Sequence, residues 1–384
     1  MTLTALTGAR IFDGEHWLQD HALILAGERV EALVPLDQLP DGCETVALDG
    51  RRLAPGLIDT QVNGGGGVLL NDQPTVEAIC TIGDAHRALG TTSFLPTLIS
   101  DDLAVVKAAI DAVDEAVSRN TAGVLGVHLE GPFLNPARKG VHNEAVFRQI
   151  DDEAIALLTS LKRGITYVTL APERTSPERI AQLAAAGVIV AAGHTAADYA
   201  QTRQALDAGL KAFTHLFNAM TPMTSREPGV VGAALEDDNS WCGIIVDNYH
   251  VDPATLRVAL KAKVRGKMIL VTDAMPTVGA TDKRFVLNGE TIVAEAGRCA
   301  TATGTLAGSD LDMMGAVKNT HQLLNVELGE ALRMASAYPA AMLGLDHKLG
   351  YLRAGYQADL IAFDDHFRVT HSWINGQLRS YEHP

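Results

Sequence analysis

The chain has 384 residues, of which 47% are hydrophobic and 20% charged, and its formal net charge at pH 7 is -15. This length fits two or three ordinary domains, or one large α/β barrel with an appendage. The negative charge argues against a nucleic-acid partner, which requires a basic face, and no apolar run reaches the roughly 20 residues that span a bilayer.

The first fifty or so residues have the pattern of short strands. The segment HALILAGERVEALVPL (21–36) alternates apolar and polar side chains about a turn at Ala26–Gly27–Glu28, which predicts a hairpin. The N-terminus lacks the basic start and long apolar core of a signal peptide. The four cysteines are far apart and form no C-x-x-C pair, so we expect reduced thiols in a cytoplasmic protein.

The middle of the chain alternates between strand and helix patterns. Apolar, β-branched runs occur eight times: LIDTQV (57–62), TTSFLPT (91–97), VLGVHLE (124–130), ITYVTLAP (165–172), VIVAAGH (188–194), AFTHLFN (212–218), CGIIVD (242–247) and MILVTDA (268–274). Helical segments lie between them, such as one with Ser176 as N-cap, Pro177 at its first position and Gly187 past its end. Eight such repeats match a (β/α)8 barrel over residues 54–345. The alternative is an open doubly wound sheet, although no G-x-G-x-x-G follows the first strand.

The last residues again read as strands. ADLIAFD is a short apolar strand pattern, and Asn375–Gly376 is the preferred dipeptide of a two-residue hairpin turn. We therefore expect residues 1–53 and 346–384 to form one small β domain from both termini.

Polar residues collect where the predicted barrel strands end, which is where barrels of this kind carry their active sites. Glu130, His194 and His215 stand out, because two imidazoles and a carboxylate with an open fourth position form a catalytic zinc set. Asp273 is the natural general base, since a carboxylate beside a metal-activated water can accept its proton and pass it to a leaving amine. Each residue alone could instead be a helix cap or a satisfied core hydrogen-bonding group.

At these residues the chain resembles the N-acetylglucosamine-6-phosphate deacetylases of the amidohydrolase superfamily, in particular their enterobacterial branch. The matching motifs cover essentially the whole chain and are QVNGGGG, HLEGPF, AGHT, THLFNAM, REPG, DNYHV, VTDAM and TLAGS. The resemblance implies a (β/α)8 TIM-like barrel with a small β-sandwich domain formed from both termini. It also implies hydrolysis of the acetamide of N-acetyl-D-glucosamine 6-phosphate to D-glucosamine 6-phosphate and acetate, in amino-sugar catabolism and cell-wall sugar recycling.

The resemblance assigns roles to individual residues. Glu130, His194 and His215 match the metal ligands of the family, and Asp273 matches its catalytic acid/base. The expected ion is Zn²⁺, although Fe²⁺, Co²⁺ and Mn²⁺ suit the same ligands. The residues that match substrate contacts are His142, Asn218, Ala219, Arg226, His250, Leu306, Ala307 and Gly308. In family members the arginine corresponding to Arg226 reaches into the neighbouring subunit's site, which implies a homodimer.

The first strand departs from the pattern of many amidohydrolases, which place His-x-His at its end to help hold a metal. This chain has Gln61-x-Asn63 instead. Amide side chains are weak ligands for a borderline-soft cation, whereas imidazole binds zinc well. We therefore expect one ion per subunit, with Gln61 and Asn63 hydrogen-bonded to water or to neighbouring ligands.

Two other functions stay open at this point. The chain could be an amidohydrolase acting on a different N-acyl or cyclic amide, although Arg226 and His250 favour a phosphorylated substrate. It could also be a non-catalytic sugar-phosphate sensor, which should have lost a metal ligand or the base.

Overall fold

The computed structural model describes residues 3–382, and its largest sheet has eight strands. In chain order these strands are Leu57–Val62, Thr91–Ile99, Gly126–Glu130, Ile165–Leu170, Ile189–Ala192, Ala212–Phe213, Trp241–Ile244 and Met268–Leu270. Their order in the sheet follows the chain, and pairing is parallel from the second strand to the eighth. The sheet closes where Val62 forms a parallel bridge with Ala274. The predicted (β/α)8 barrel is therefore confirmed.

A helix follows every barrel strand. Within residues 3–382 the α-helices are Val76–Arg87, Leu103–Ser118, Asp152–Leu158, Pro177–Ala185, Tyr199–Asp207, Gly229–Glu236, Pro253–Ala262, Met313–Leu323, Leu328–Met334 and Ala337–Leu343. The predicted capping of Pro177–Ala185 is confirmed: Ser176 accepts a hydrogen bond from the Arg179 amide, and Gly187 has φ 87° just beyond the end. Short 3₁₀ turns are Leu36–Gln38, Pro136–Arg138, Glu144–Val146 and Pro172–Arg174.

Strands near both termini form two further sheets. One contains Leu3–Thr7, His21–Ala26, Arg29–Pro35 and Glu44–Ala47, and the other contains Arg10–Phe12, Trp17–Leu18, Arg52–Pro55, Leu360–Phe363, Val369–Ile374 and Gln377–Ser380. Leu23 of the first sheet shares one buried cluster with Leu53, Leu360 and Trp373 of the second, so the two sheets form the predicted sandwich. The remaining strands are the ribbon Gly64–Gly65 and Val68–Leu69, and a three-stranded sheet of Arg284–Leu287, Glu290–Glu295 and Arg298–Ala300.

Two compact units can be distinguished in the chain. One comprises Thr60–Ala85 and Phe94–Leu311, and contains all the candidate site residues; the other comprises the remaining described residues. The predicted division into 1–53 with 346–384 and 54–345 stays a prediction. Across 3–382, none of the helices has both the length and the apolar character of a membrane-crossing segment. All four cysteines are free thiols.

Several barrel strands end before their apolar patterns do. The patterns extend to residues 194 and 218, but the strands end at Ala192 and Phe213. His194 has φ 48° and His215 has φ 31°, which are left-handed conformations that an extended strand cannot contain. The backbone therefore leaves the sheet at the residues that the sequence singles out as metal ligands.

Candidate metal centre and active site

Three potential metal ligands converge at the C-terminal mouth of the barrel. Glu130 ends the third barrel strand, and His194 and His215 follow the fifth and the sixth. His215 Nε2 lies 3.0 Å from both Glu130 Oε1 and His194 Nε2, and His194 Nε2 lies 3.2 Å from Glu130 Oε1. All three side chains are buried, and their ligand atoms lie within 4.8 Å of one another.

These side chains fit a divalent cation. Tetrahedral zinc with bonds of about 2.0–2.1 Å places its ligand atoms about 3.3 Å apart, close to the spacing of this triad. His194 Nδ1 lies 2.8 Å from the Arg138 carbonyl oxygen, which can only accept. Nδ1 therefore carries the proton, and the lone pair of Nε2 points at Glu130 and His215.

The electrostatics of the triad also favour positive charge. Burial disfavours the charged form of Glu130, but the adjacent imidazoles of His194 and His215 outweigh burial and hold the pKa of Glu130 well below its usual value. Burial likewise opposes charge on His215, yet the hydrogen bond and charge of Glu130 raise the pKa of His215. The centre therefore stabilises a cation between one carboxylate and two imidazoles.

Asp273 lies beside the triad, held by the two amide side chains of the first strand. Gln61 Nε2 donates to Asp273 Oδ1 at 3.1 Å and to Glu130 Oε2 at 3.2 Å, while Asn63 Nδ2 donates to Asp273 Oδ1 at 2.7 Å. Burial, followed by the charge of Glu130, raises the pKa of Asp273 to about 6. A carboxyl group with such a pKa can both accept and return a proton near neutral pH.

His142 is held in one tautomer by Ser100. The Ser100 amide donates to His142 Nδ1 at 3.3 Å, and the Ser100 hydroxyl lies 2.8 Å from the same nitrogen. The proton of a neutral His142 therefore lies on Nε2. Burial, aided by His194, lowers the pKa of His142 to about 3, so the ring is a neutral hydrogen-bond donor.

His250 is oriented by Asp247. His250 Nδ1 lies 2.6 Å from Asp247 Oδ2, and Asp247 Oδ1 accepts the backbone amides of Tyr249 and His250 at 2.9 Å each. Burial opposes ionisation of Asp247, but the hydrogen bond from His250 outweighs it and lowers the pKa of Asp247. The pair presents the opposite edge of the His250 ring as a fixed polar group.

Most of the predicted site residues line one cavity of about 260 Å³. Those that line it are Asn63, Glu130, His142, His194, His215, Asn218, Ala219, His250, Asp273, Leu306 and Gly308. Gln61 contacts the carboxylates but does not line the cavity. Ala307 is fully buried, with its amide donating to the Cys299 carbonyl, and Arg226 is exposed elsewhere on the surface. The contacts predicted for Ala307 and Arg226 stay predictions.

Some residues of the site were not singled out from the sequence. Ser100 orients His142, and the Arg138 carbonyl orients His194, but neither belongs to a motif that signals this contact. Asp247 ends the apolar run CGIIVD, and an aspartate there that accepts amides two and three residues ahead is a recognisable turn signal. Thr305 and Met275 also line the cavity.

Comparison with known proteins agrees with this geometry. Residues 52–379 match the model of the Amidohydrolase family, and residues 4–53 match that of the NagA composite domain. An N-acetylgalactosamine-6-phosphate deacetylase from Shewanella sp. (strain ANA-3) is 43% identical over 326 residues, 85% of this chain and 82% of that protein. An N-acetylglucosamine-6-phosphate deacetylase from Haemophilus influenzae is 37% identical over 378 residues, 98% of this chain and 99% of that protein. The crystal structure of N-acetylglucosamine-6-phosphate deacetylase from Pasteurella multocida has a TM-score of 0.96 at 36% identity, covering 99% of this chain and 100% of that chain.

The triad predicts how the protein retains metal. After dialysis against zinc and then against buffer, the parent protein should keep about one ion per chain, and His215→Ala less than about a tenth of that, because two ligands hold zinc far more weakly than three. Elemental analysis measures both. His321→Ala is the matched control, since His321 lies on helix Met313–Leu323 and contacts the Val326 carbonyl. Equal metal content in parent and His215→Ala would rule out the triad.

Proposed function

The chain belongs to the amidohydrolase family, and on that premise we propose that it hydrolyses the acetamide of N-acetyl-D-glucosamine 6-phosphate to D-glucosamine 6-phosphate and acetate. The observation that carries the proposal is the cavity in which Glu130, His194 and His215 meet beside Asp273. The Haemophilus influenzae relative and the Pasteurella multocida structure are both named for the same reaction.

We propose that Glu130, His194 and His215 hold the divalent ion, and that the ion is Zn²⁺. When bound, the ion supplies Lewis acidity, which lowers the pKa of a water and polarises the acetyl carbonyl group. Fe²⁺, Co²⁺ and Mn²⁺ would suit the same donor atoms. A single ion is supported by Gln61, whose amide nitrogen donates to both Glu130 and Asp273 and therefore offers no lone pair to a second cation.

Asp273 carries the proton transfers in this proposal. Its carboxylate accepts the proton of the attacking water and then protonates the sugar nitrogen as the C–N bond breaks. Gln61 and Asn63 keep Asp273 Oδ1 in place through the whole cycle, because each donates to that oxygen. His142 acts as a neutral donor, and its Nε2–H stabilises the negative charge that develops on the acetyl oxygen.

Recognition of the phosphate requires a second subunit in this proposal. Among the described residues that line the cavity there is neither a lysine nor an arginine, whereas a phosphate group calls for cationic donors. Arg226 is exposed, and it forms no ion pair with any of the residues 3–382. We therefore propose a homodimer in which Arg226 contacts the phosphate bound in the neighbouring subunit, with His250 and Asn218 contacting the sugar phosphate from within.

The galactosamine epimer is a second candidate substrate. The Shewanella relative, which is 43% identical, is named for N-acetylgalactosamine 6-phosphate. The two sugars share the acetamide and the phosphate and differ at one hydroxyl group, so the same metal centre and base could act on both. By contrast, nothing supports a cyclic amide, and a sensor should have lost one of the four central side chains, all of which are present.

The first test compares substrates and removes the base. We expect acetate release from N-acetyl-D-glucosamine 6-phosphate to exceed that from unphosphorylated N-acetyl-D-glucosamine, with the galactosamine 6-phosphate assayed in parallel. Asp273→Asn should lower kcat by about 10²–10⁴-fold with zinc content unchanged, because an amide cannot accept the proton. Asp151→Asn is the control, because Asp151 caps helix Asp152–Leu158, pairs with Arg148 and does not line the cavity. Full activity of Asp273→Asn, or equal use of the unphosphorylated sugar, would overturn the proposal.

The hydrogen bond from Asn63 predicts a change in pH dependence. Its N–H group stabilises the ionised form of Asp273 and so lowers the pKa of that carboxyl group. Replacing Asn63 with leucine should raise the pKa of Asp273, and the acid limb of kcat/KM should move to higher pH by on the order of one unit. A limb that stays in place, or moves to lower pH, would contradict the contact between Asn63 and the working base.

Mixed dimers test whether Arg226 acts across subunits. Arg226→Ala should raise KM for the phosphorylated sugar, and Asp273→Asn alone should be nearly inactive. If equal amounts of the two variants are unfolded and refolded together, about half of the dimers should contain one chain of each kind. Each such dimer has one site of two with both Asp273 and a neighbouring Arg226. The mixture should therefore regain about a quarter of the parent activity. The refolded mixture is compared with the same amount of Arg226→Ala chain refolded alone. If the mixture is no more active, Arg226 does not act in the neighbouring subunit's site.

A further inference from the structure

Glu173 makes three close contacts just outside the cavity, and the proposed mechanism assigns it no role. It lies in the 3₁₀ turn Pro172–Arg174, after the fourth barrel strand. Glu173 Oε2 accepts the Thr195 hydroxyl at 2.5 Å, and Oε1 accepts the Ala196 amide at 2.6 Å and Asn135 Nδ2 at 2.8 Å. One carboxylate therefore ties two other segments of the chain to its own turn.

The first two contacts hold the residues that directly follow the ligand His194. His194 has φ 48°, a conformation that non-glycine residues rarely adopt and that persists only where the surroundings hold it. Thr195 is further tied by its amide to the Ala219 carbonyl at 3.0 Å. Glu173 thus anchors the turn that directs the His194 ring towards Glu130 and His215.

The third contact holds the start of the 135–142 loop, which carries His142. This loop touches His194 repeatedly: the Asn135 amide donates to the His194 carbonyl at 3.0 Å, and the Arg138 carbonyl accepts from His194 Nδ1 at 2.8 Å. A Cβ atom on Gly140 would lie 3.3 Å from His194 Cε1, and the rings of His142 and His194 are 4.4 Å apart. The loop and the His194 turn therefore pack against each other, and Glu173 is hydrogen-bonded to both.

Helix capping does not explain Glu173. The helix that follows it, Pro177–Ala185, is capped by Ser176, and helix Tyr199–Asp207 is capped by Asp198. Both caps are complete without Glu173. The carboxylate serves instead as a bridge between the His194 turn and the 135–142 loop.

We propose that Glu173 is a positioning residue that keeps the metal ligand His194 and the hydrogen-bond donor His142 in a fixed mutual arrangement. Its loss should weaken metal binding and lower turnover together, because both side chains are attached to segments that it joins. The part concerning turnover rests on the proposed deacetylase function; the part concerning metal binding does not.

Glu173→Gln tests the proposal with little change of volume. An amide offers one acceptor oxygen, and its NH₂ group would face groups that also donate. We expect the Kd for zinc, measured by competition with a chelator, to rise by about 10- to 100-fold. At saturating zinc, kcat should fall while KM changes little, and the visible spectrum of the Co²⁺-loaded variant should differ from that of the parent.

Asp237→Asn is the matched control. Asp237 Oδ1 accepts the backbone amides of Asn239 at 3.0 Å and Ser240 at 2.7 Å, just before the strand Trp241–Ile244 and so at the opposite end of the barrel. This variant should lose thermal stability without changing zinc affinity or the Co²⁺ spectrum. If Glu173→Gln behaves in the same way, with zinc affinity within about twofold of the parent, Glu173 is merely structural and the proposal fails.

A double variant tests the link to His142. If Glu173 acts partly through His142, the loss of kcat in Glu173→Gln combined with His142→Asn should be smaller than the product of the two single losses. Independent, multiplying losses would show that Glu173 does not position His142. Because zinc affinity and the Co²⁺ spectrum need no substrate, they decide the metal-binding part even if the protein proves to release no acetate.

Discussion

The structure depends on holding three buried polar atoms, one carboxylate oxygen and two imidazole nitrogens, close together. Glu130, His194 and His215 bring their ligand atoms to 3.0–3.2 Å from one another inside the barrel mouth. A buried polar group without a partner costs about 1–3 kcal/mol, so this arrangement is stable only with positive charge at its centre. Proton sharing meets that need in part, in keeping with the raised pKa of His215, and the same three atoms could hold a divalent cation.

The ligands are positioned by their surroundings as much as by their strands. His194, His215 and Asp273 all have positive φ, a backbone conformation that costs a non-glycine residue of order 1–3 kcal/mol and persists only where neighbours enforce it. Distant parts of the chain also fix the tautomers of the ring side chains: the Arg138 carbonyl fixes that of His194, and Ser100 fixes that of His142. The orientation and tautomer of the side chains at the barrel mouth are therefore set by loops from several βα repeats.

Gln61 and Asn63 show how the first strand contributes through hydrogen bonds. Imidazoles at these positions would offer lone pairs, whereas the amide nitrogens donate hydrogen bonds to Glu130 and Asp273. These donors stabilise the carboxylates and orient the base. Amides in place of imidazoles therefore supply hydrogen-bond donors where the proposed single-ion centre needs no further metal ligand.

By itself the sequence determined the features that depend on local patterns. The eight strand runs, the Ser176 cap and the Asn375–Gly376 turn follow from periodicity and turn preferences within a few residues, and motif resemblance singled out the candidate metal ligands. Only the tertiary structure decided that Ser100 orients His142, that the Arg138 carbonyl orients His194 and that Glu173 joins two loops. These contacts link segments whose closeness arises from barrel closure and loop packing, and no short-range pattern encodes a distance between residues far apart in the chain.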